Sequence, residues 1–233
     1  MINLKSIGIV LPTLNEEKSL EKVVQELLLI SESSEWDFKF VIVNDGSTDD
    51  TGKIANKMAV NPCVSVIHNK TPQNIGKCYS SGARLLDTTY ITWLPTDGEI
   101  DPSVIELLLE NVSEEQISIP FPSLGRESRG PIRRFLSILY QFGINKLFNL
   151  KINYFNGNSV IPKHFFDNYQ FLSTGFTINV EVILYSLIVK KMKYVEVPFT
   201  LRRRNGDKEK ALKIKNIINV FKSIVQLYKR YHV

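Results

Sequence analysis

FKFVIVNDGSTDDTGKIANKMA, residues 38–59, decides the fold. FKFVIVN (38–44) is a β-rich apolar run, and a helical pattern follows near 50–59. Between them NDGSTDD supplies Asn, Gly, Ser and Asp, the residues that tight turns require. A strand feeding a helix through such a turn is half of a βαβ unit.

The unit recurs to either side. IGIVL (7–11) precedes a helical pattern near 17–31, VSVIH (64–68) precedes one near 75–86, and YITWL (90–94) follows. Alternation of this kind predicts an α/β domain with a mostly parallel sheet flanked by helices on both faces. The loops at the carboxyl ends of the runs are PTLNEE (12–17), NDGSTDD (44–50), NKTPQN (69–74) and PTDGEID (95–101). In an open parallel sheet that edge binds ligands.

Beyond Pro102 the alternation loosens. A helix is expected near 102–111 and a strand near 116–121, then SLGRESRGP (123–131), a basic glycine-containing loop expected to be mobile. Two amphipathic helices follow, at 131–149 and 210–231.

The composition, 43% apolar and 23% charged over 233 residues, is that of a globular protein. One domain is expected over 1–209, with 210–233 as a basic amphipathic helix. The longest apolar runs, such as VILYSLIV (182–189), fall short of the roughly 18 residues that cross a bilayer. MINLKSIGIVLP lacks the features of a signal peptide, which predicts a cytoplasmic protein. Cys63 and Cys78 read as free thiols. The net charge is +5, and many positive side chains gather in 126–134, 202–215 and 222–230. Such clusters suit phosphate-bearing or membrane-surface partners; no nucleic-acid partner is expected.

Taken singly, the acidic loops have plain explanations. Asp45 ends a strand, where a carboxylate can accept hydrogen bonds from a nucleobase, and Asp49 or Asp50 stands where a helix needs its cap. Pro12 and Asn15 make a turn, and Glu16 and Glu17 open a helix as its dipole prefers.

The series says more. LPTLNEE (11–17), VNDGSTDDT (43–51), NIGKCYSSGARLL (74–86) and WLPTDGEIDP (93–102) resemble, in order and spacing, the family 2 glycosyltransferases of the GT-A fold, especially the dolichol-phosphate mannosyltransferase-like branch. STGFTINVEVILYSLIVKKMKYVEVPFTLRRRNG (173–206) resembles the family's later block, so the likeness covers about residues 5–210.

The resemblance implies a single Rossmann-like GT-A domain that moves a sugar, with inversion, from a UDP- or GDP-sugar. It implies that Pro12, Glu16 and Asp45 line the nucleotide pocket, with Asn74 and Gly76 near the nucleotide. Asp97 would be the catalytic metal ligand of an aspartate-x-aspartate site. A hard Mg²⁺ or Mn²⁺ takes oxygen ligands and stabilises charge on a departing diphosphate. Here the sequence departs from the family: Pro95 stands where the first aspartate is usual. Glu99 is a second metal carboxylate or part of a solvated turn, and Asp101 suits a cap for the next helix. In LRRRNGDKEK (201–210), Arg203 matches the family's phosphate-gripping arginine, and Lys208 or Lys210 replaces its lysine without keeping the spacing. A solvated charge run is the competing account of that segment.

The expected acceptor is a polyprenyl phosphate, an anionic nucleophile that needs no dedicated base. For a sugar hydroxyl, Glu99, Asp101 and Glu181 are the acids to examine. Nucleotidyl transfer fits less well, because PTLNEE is acidic where those enzymes carry a basic glycine-rich loop. A nucleotide-sugar-binding protein without turnover is a rival that follows from Pro95.

Arg126, Arg129, Arg133 and Arg134 head a helix whose apolar face is Phe135, Ile138, Leu139 and Phe142. In the second helix Ile214, Ile217, Ile218, Phe221, Ile224, Val225 and Tyr228 form one stripe, with Lys213, Lys215, Lys222, Lys229 and Arg230 elsewhere. Such faces rest on an anionic membrane, which would place the protein at the membrane's inner face, or they dock a second copy in a homo-oligomer, or they cover the core.

Overall fold

Alternate residues of the first two apolar runs enter two different cores. In a computed structural model, which describes residues 5–124, 131–167, 169–202 and 214–231, β1 (Ser6–Thr13) and β2 (Asp37–Asn44) pair in parallel from Ser6↔Asp37 to Thr13↔Asn44. Ile7, Ile9 and Leu11 join Phe38, Phe40 and Ile42 on one face, against Leu20, Val23, Val24 and Leu27 of α1 (Leu20–Ser33) and Ala55 of α2 (Thr51–Met58). Val10, Val41 and Val43 point the other way, with Tyr79 and Ala83 of α3 (Ile75–Leu85). Apolar residues that alternate between two buried faces thus mark strands covered on both sides.

With β3 (Val64–His68) and β4 (Tyr90–Trp93) the sheet runs β3-β2-β1-β4, all parallel. The chain works outward from β1 to β3, then returns to place β4 on the other side of β1. The crevice beyond the carboxyl ends of β1 and β4 is therefore the topological switch point.

Two features were not expected from the sequence. A two-residue strand, β6 (Ile161–Pro162), pairs antiparallel with β4, and β5 (Gln116–Leu124) and β7 (Lys193–Thr200) form a separate parallel pair. A bridge between Ser118 and Val160 joins the pair to the main sheet. Two residues are too few to show a period, and pairing between residues as far apart as Gln116 and Lys193 leaves no local trace. The remaining helices are α4 (Val104–Leu109), α5 (Pro131–Phe148), α6 (His164–Asp167), α7 (Ile178–Leu184), which runs into a π-helical turn at Tyr185–Val189, and α8 (Ile214–Tyr231). The loop expected to be mobile at 123–131 lies, for its residues 125–130, outside the described residues.

The faces of α5 and α8 differ from a simple core-covering pattern. α5 buries Ile144 and Phe148 but exposes Phe135 (61%), Ile138 (60%), Leu139 (49%) and Phe142 (65%). α8 packs Ile224, Leu227 and Tyr231 on the core, while Ile218, Phe221 (69%), Val225 and Tyr228 are exposed. The single stripe read from the sequence is thus mostly the outward line, and the one fully buried residue, Leu227, is not in it. The side chains of Ile214 and Ile217 lie outside the described residues. The rings of Phe148 and Tyr228 meet edge to face at 6.2 Å, so the two helices are neighbours there. Among the described residues no helix is long and apolar enough to cross a membrane.

Candidate active site

The loops after β1 and β2 are interlocked by side chain to backbone hydrogen bonds. Asn15 donates its N–H to Ser47 Oγ (3.0 Å) and accepts at Oδ1 from the Thr48 N–H (2.9 Å). The Glu16 N–H donates to Thr51 Oγ1 (2.9 Å), and Glu17 Oε2 accepts from the Asp50 N–H (3.1 Å). Here the capping expectation is modified. Asp50 occupies the cap position of α2 without a capping bond and pairs instead with Lys53 at 2.6 Å. Asp49 takes the Thr51 N–H at 3.1 Å. Burial pushes the Asp49 carboxyl up, but bonds from the Thr51 hydroxyl and backbone and from the Glu17 backbone outweigh it and leave it below its ordinary value.

Asp45 lies 5% exposed at the end of β2 and holds the next loop. Its Oδ1 accepts from Asn69 Nδ2 (2.8 Å) and the Gln73 N–H (2.8 Å), and its Oδ2 from the Asn74 N–H (3.1 Å). A carboxylate has about four acceptor positions, so Asp45 commits most of them to the protein's own loop. Burial and the adjacent Asp45 charge drive the Cys78 thiol well up, so it stays protonated beside that carboxylate.

Asn74 adopts φ 74°, ψ 159°, a region that side chains avoid, and its bond to Asp45 holds it there. Gly76 serves packing. A Cβ on it would lie 2.5 Å from the Ser173 carbonyl oxygen, and its N–H donates to the Thr174 carbonyl at 2.9 Å. Only glycine lets the 173–174 backbone approach so closely.

Beyond β4 the chain crosses the end of β1. Leu94 donates its N–H to the Val10 carbonyl (2.9 Å), and buried Thr96 bonds Thr13 Oγ1 (3.2 Å). Pro12 is half-buried on the same edge. Asp97 and Glu99 follow, both half-buried; the Glu99 N–H donates to Asp97 Oδ1 at 3.0 Å, and Gly98 turns the chain at φ 73°. Asp101 accepts the Ser103 N–H (3.0 Å) and hydroxyl (2.8 Å). Among the described residues no three acidic, histidine or cysteine side chains converge on one point. Mg²⁺ and Mn²⁺ take oxygen ligands, and Mg²⁺ is commonly held by one or two carboxylates together with substrate phosphates. Asp97, with or without Glu99, fits that oxygen donor set.

The carboxyl edge of the sheet thus carries Pro12 near the end of β1, Glu16 and Asp45 after β1 and β2, Asn74 after β3, and Asp97 and Glu99 after β4. Arg203, Lys208 and Lys210 lie outside the described residues, as do Arg126 and Arg129. Sequence reasoning missed Arg202, whose guanidinium reaches Asp101 and Glu26. The spacing to Gly206 pointed one residue later, and nothing local marks Arg202. It also missed how Glu181 is engaged. Glu181 is 0% exposed on α7 and accepts from the N–H groups of Leu172 (2.9 and 3.1 Å) and Ser173 (2.7 Å), Tyr169 Oη (3.0 Å) and Arg230 Nη1 of α8 (3.3 Å). Arg230 also stacks 4.4 Å from the centre of the Tyr169 ring. The segment so held is the one that packs on Gly76.

A sheet of this order with an acidic loop after each of β1, β2 and β4 is the GT-A architecture. The model of glycosyl transferase family 2 matches residues 8–178, and the chain belongs to that family. Among curated proteins it is 26% identical over 114 residues to the glycosyltransferase GlyG of Streptococcus pneumoniae, covering 48% of this chain and 37% of that protein. It is 26% identical over 145 residues to the dolichyl-phosphate beta-glucosyltransferase ALG5A of Trichomonas vaginalis, covering 57% of this chain and 45% of that one. The matches thus span less than half the length of these relatives. Glucosyl-3-phosphoglycerate synthase from Mycobacterium tuberculosis, solved with UDP, superposes with a TM-score of 0.73 at 15% identity over 97% of this chain and 80% of that one. The same enzyme with Mg²⁺ and UDP gives 0.74 at 14% identity over 95% and 79%. At such identity the structures establish the shared fold.

Proposed function

We propose that the protein transfers a sugar from a nucleoside diphosphate sugar to the phosphate of a polyprenyl lipid, with inversion. The observation that carries the reading is the convergence of the loops after β1, β2 and β4 at the switch point, with Asp97 beyond β4. The relatives support the donor half of it: two are named glycosyltransferases, and the solved neighbours hold UDP with Mg²⁺, or UDP-glucose with Mn²⁺ and phosphoglyceric acid.

In this reading Pro12, Glu16 and Asp45 border the nucleotide, with Asn74 beside it. Asp45 acts partly by fixing the 69–74 loop. Asp97, with Glu99 as a second carboxylate, holds the metal. Bound there, Mg²⁺ or Mn²⁺ supplies Lewis-acid stabilisation of the diphosphate's charge. The family resemblance assigns Arg203 and Lys208 to the phosphates; both lie outside the described residues. The acceptor's phosphate oxygen attacks the anomeric carbon opposite the diphosphate, which leaves with the bonding electrons.

Two of the three acids that would serve a hydroxyl acceptor are committed elsewhere: Glu181 is buried under four donor groups, and Asp101 is paired with Arg202. A phosphate acceptor is ionised at neutral pH and needs no base. The outward faces of α5 and α8 support a lipid partner. Phe135, Ile138, Phe142 and Phe221 are each 60% or more exposed, with Arg134, Lys146, Lys222 and Lys229 exposed beside them. Apolar side chains flanked by cations suit an anionic membrane surface.

The test is a panel of UDP- and GDP-sugars with Mn²⁺ or Mg²⁺ and a polyprenyl phosphate, measuring released nucleoside diphosphate and glycosylated lipid together. Coupled release is expected. Turnover on a sugar acceptor with none on the lipid would overturn the acceptor, and donor binding with no transfer to either would overturn the enzyme.

A further inference from the structure

Arg202 stands at the end of β7 and touches the Asp97–Asp101 turn in three ways. Its N–H donates to the Glu99 carbonyl at 2.9 Å, and its neighbour Leu201 forms an antiparallel bridge with Ile100. Its Nε (2.9 Å) and Nη2 (2.6 Å) both reach Asp101 Oδ2. Its Nη1 reaches Glu26 Oε2 on α1 at 2.8 Å. One planar fork thus ties the turn after β4 to the end of β7 and the flank of α1, a geometry that a lysine cannot reproduce.

The charges make the tie directional. Arg202 is the cation between two carboxylates, Glu26 and Asp101. Glu26 also has Lys22 Nζ at 3.9 Å; without Arg202 the Asp101 carboxylate loses its guanidinium and the turn loses its side-chain link to α1. Exposed ion pairs contribute little to stability, and these side chains are 27–36% exposed. What the cluster governs is where the turn sits. The backbone bridge fixes one side of it; the guanidinium fixes the other.

We propose that Arg202 is a positioning residue: it holds the Asp97–Asp101 turn so that the Asp97 carboxylate is set for a divalent cation on a nucleoside diphosphate. This rests on Asp97 as the metal-holding residue. Arg202 itself touches neither metal nor donor; it acts through the turn, as groups behind metal ligands do.

The test uses the full chain with UDP and GDP as probes and calorimetry as the readout. Each nucleotide is titrated at several Mn²⁺ concentrations and in chelator, for the wild type, Arg202→Ala, Arg202→Lys, Glu26→Gln and Asp97→Asn. The expected result is that Arg202→Ala needs about ten times more Mn²⁺ for half-maximal nucleotide binding, while binding in chelator is unchanged. Arg202→Lys should recover part of the loss, and Glu26→Gln should show a smaller shift of the same kind. The proposal is overturned if Arg202→Ala keeps the wild-type Mn²⁺ dependence, or if binding in chelator falls by the same factor, which is what general loosening would do. Should Arg202→Ala not fold, Glu26→Gln and Arg202→Lys decide the matter by the same criteria. Asp97→Asn separates the two readings: a variant that still binds nucleotide in a Mn²⁺-dependent way overturns the metal assignment, whereas loss there with an unchanged Arg202→Ala overturns only the positioning role.

Discussion

The carboxyl edge of the sheet and the outer flank of α5 and α8 are opposites in how their side chains are used. At the edge, polar groups are turned on one another: Asn15 on Ser47 and Thr48, Asp45 on Asn69, Gln73 and Asn74, and Asp101 on Ser103 and Arg202. On the flank, Phe135, Phe142 and Phe221 are more than 60% exposed. In the first region the loop geometry is set by the protein's own hydrogen bonds. The second has apolar area that only another surface can remove from water. Chemistry and attachment should therefore separate under mutation.

The largest expected effect tests the edge. Asp97→Asn should lower metal-dependent turnover by about a thousandfold, the several kcal/mol that a metal's charge stabilisation supplies. Its melting temperature and its binding to anionic vesicles should match the wild type; a fully active variant sinks the assignment. Next, Glu181→Ala leaves Arg230 and the donors of 172–173 without their carboxylate. Chemical denaturation should show roughly 3 kcal/mol of lost stability, at the low end for a broken buried pair because Arg230 is partly exposed. Asp45→Ala should cost about 2 kcal/mol for unmet buried donors and weaken nucleotide binding, read by calorimetry. On the flank the pattern should invert. Phe142→Asp with Phe221→Asp should abolish co-sedimentation with anionic vesicles while nucleotide affinity holds and stability moves by no more than about 0.5 kcal/mol per site. Equal loss of both properties would erase the contrast.

The smallest effect concerns acid. Burial raises the Asp101 carboxyl, but bonds from the Ser103 backbone and hydroxyl and the Arg202 guanidinium outweigh it, leaving it below its ordinary 3.8. A depressed native value means the tether's contribution is full above 3.8 and fades as pH falls through the native value. The melting difference between wild type and Arg202→Ala should therefore persist at neutral pH and shrink only below pH 3.8.

The strands and crossover helices were legible because each carries its own period and turn. That the loops after β1, β2 and β4 share one edge was legible because the ends of parallel strands must lie together. What covers a helical stripe was not. α1 and α5 both show apolar residues at helical spacing, yet Leu20, Val23, Val24 and Leu27 meet the sheet while Phe135, Ile138 and Phe142 face outward. Periodicity declares a face and is silent on its neighbour. The pairings of Arg202 and Glu181 were unreadable for a related reason. Their partners Glu26 and Arg230 lie 176 and 49 positions away, and no local pattern records such pairings.

The buried contact between Glu181 and Arg230 also sets an order of events during synthesis. A ribosome adding about 5–20 residues per second needs several seconds for the 49 positions between them. For that interval the 169–173 loop has its carboxylate but not its cation, so the face of the nascent domain that packs on Gly76 is completed late. Chains ending just short of Arg230 should be cut in that loop by proteases that spare the full 233-residue chain.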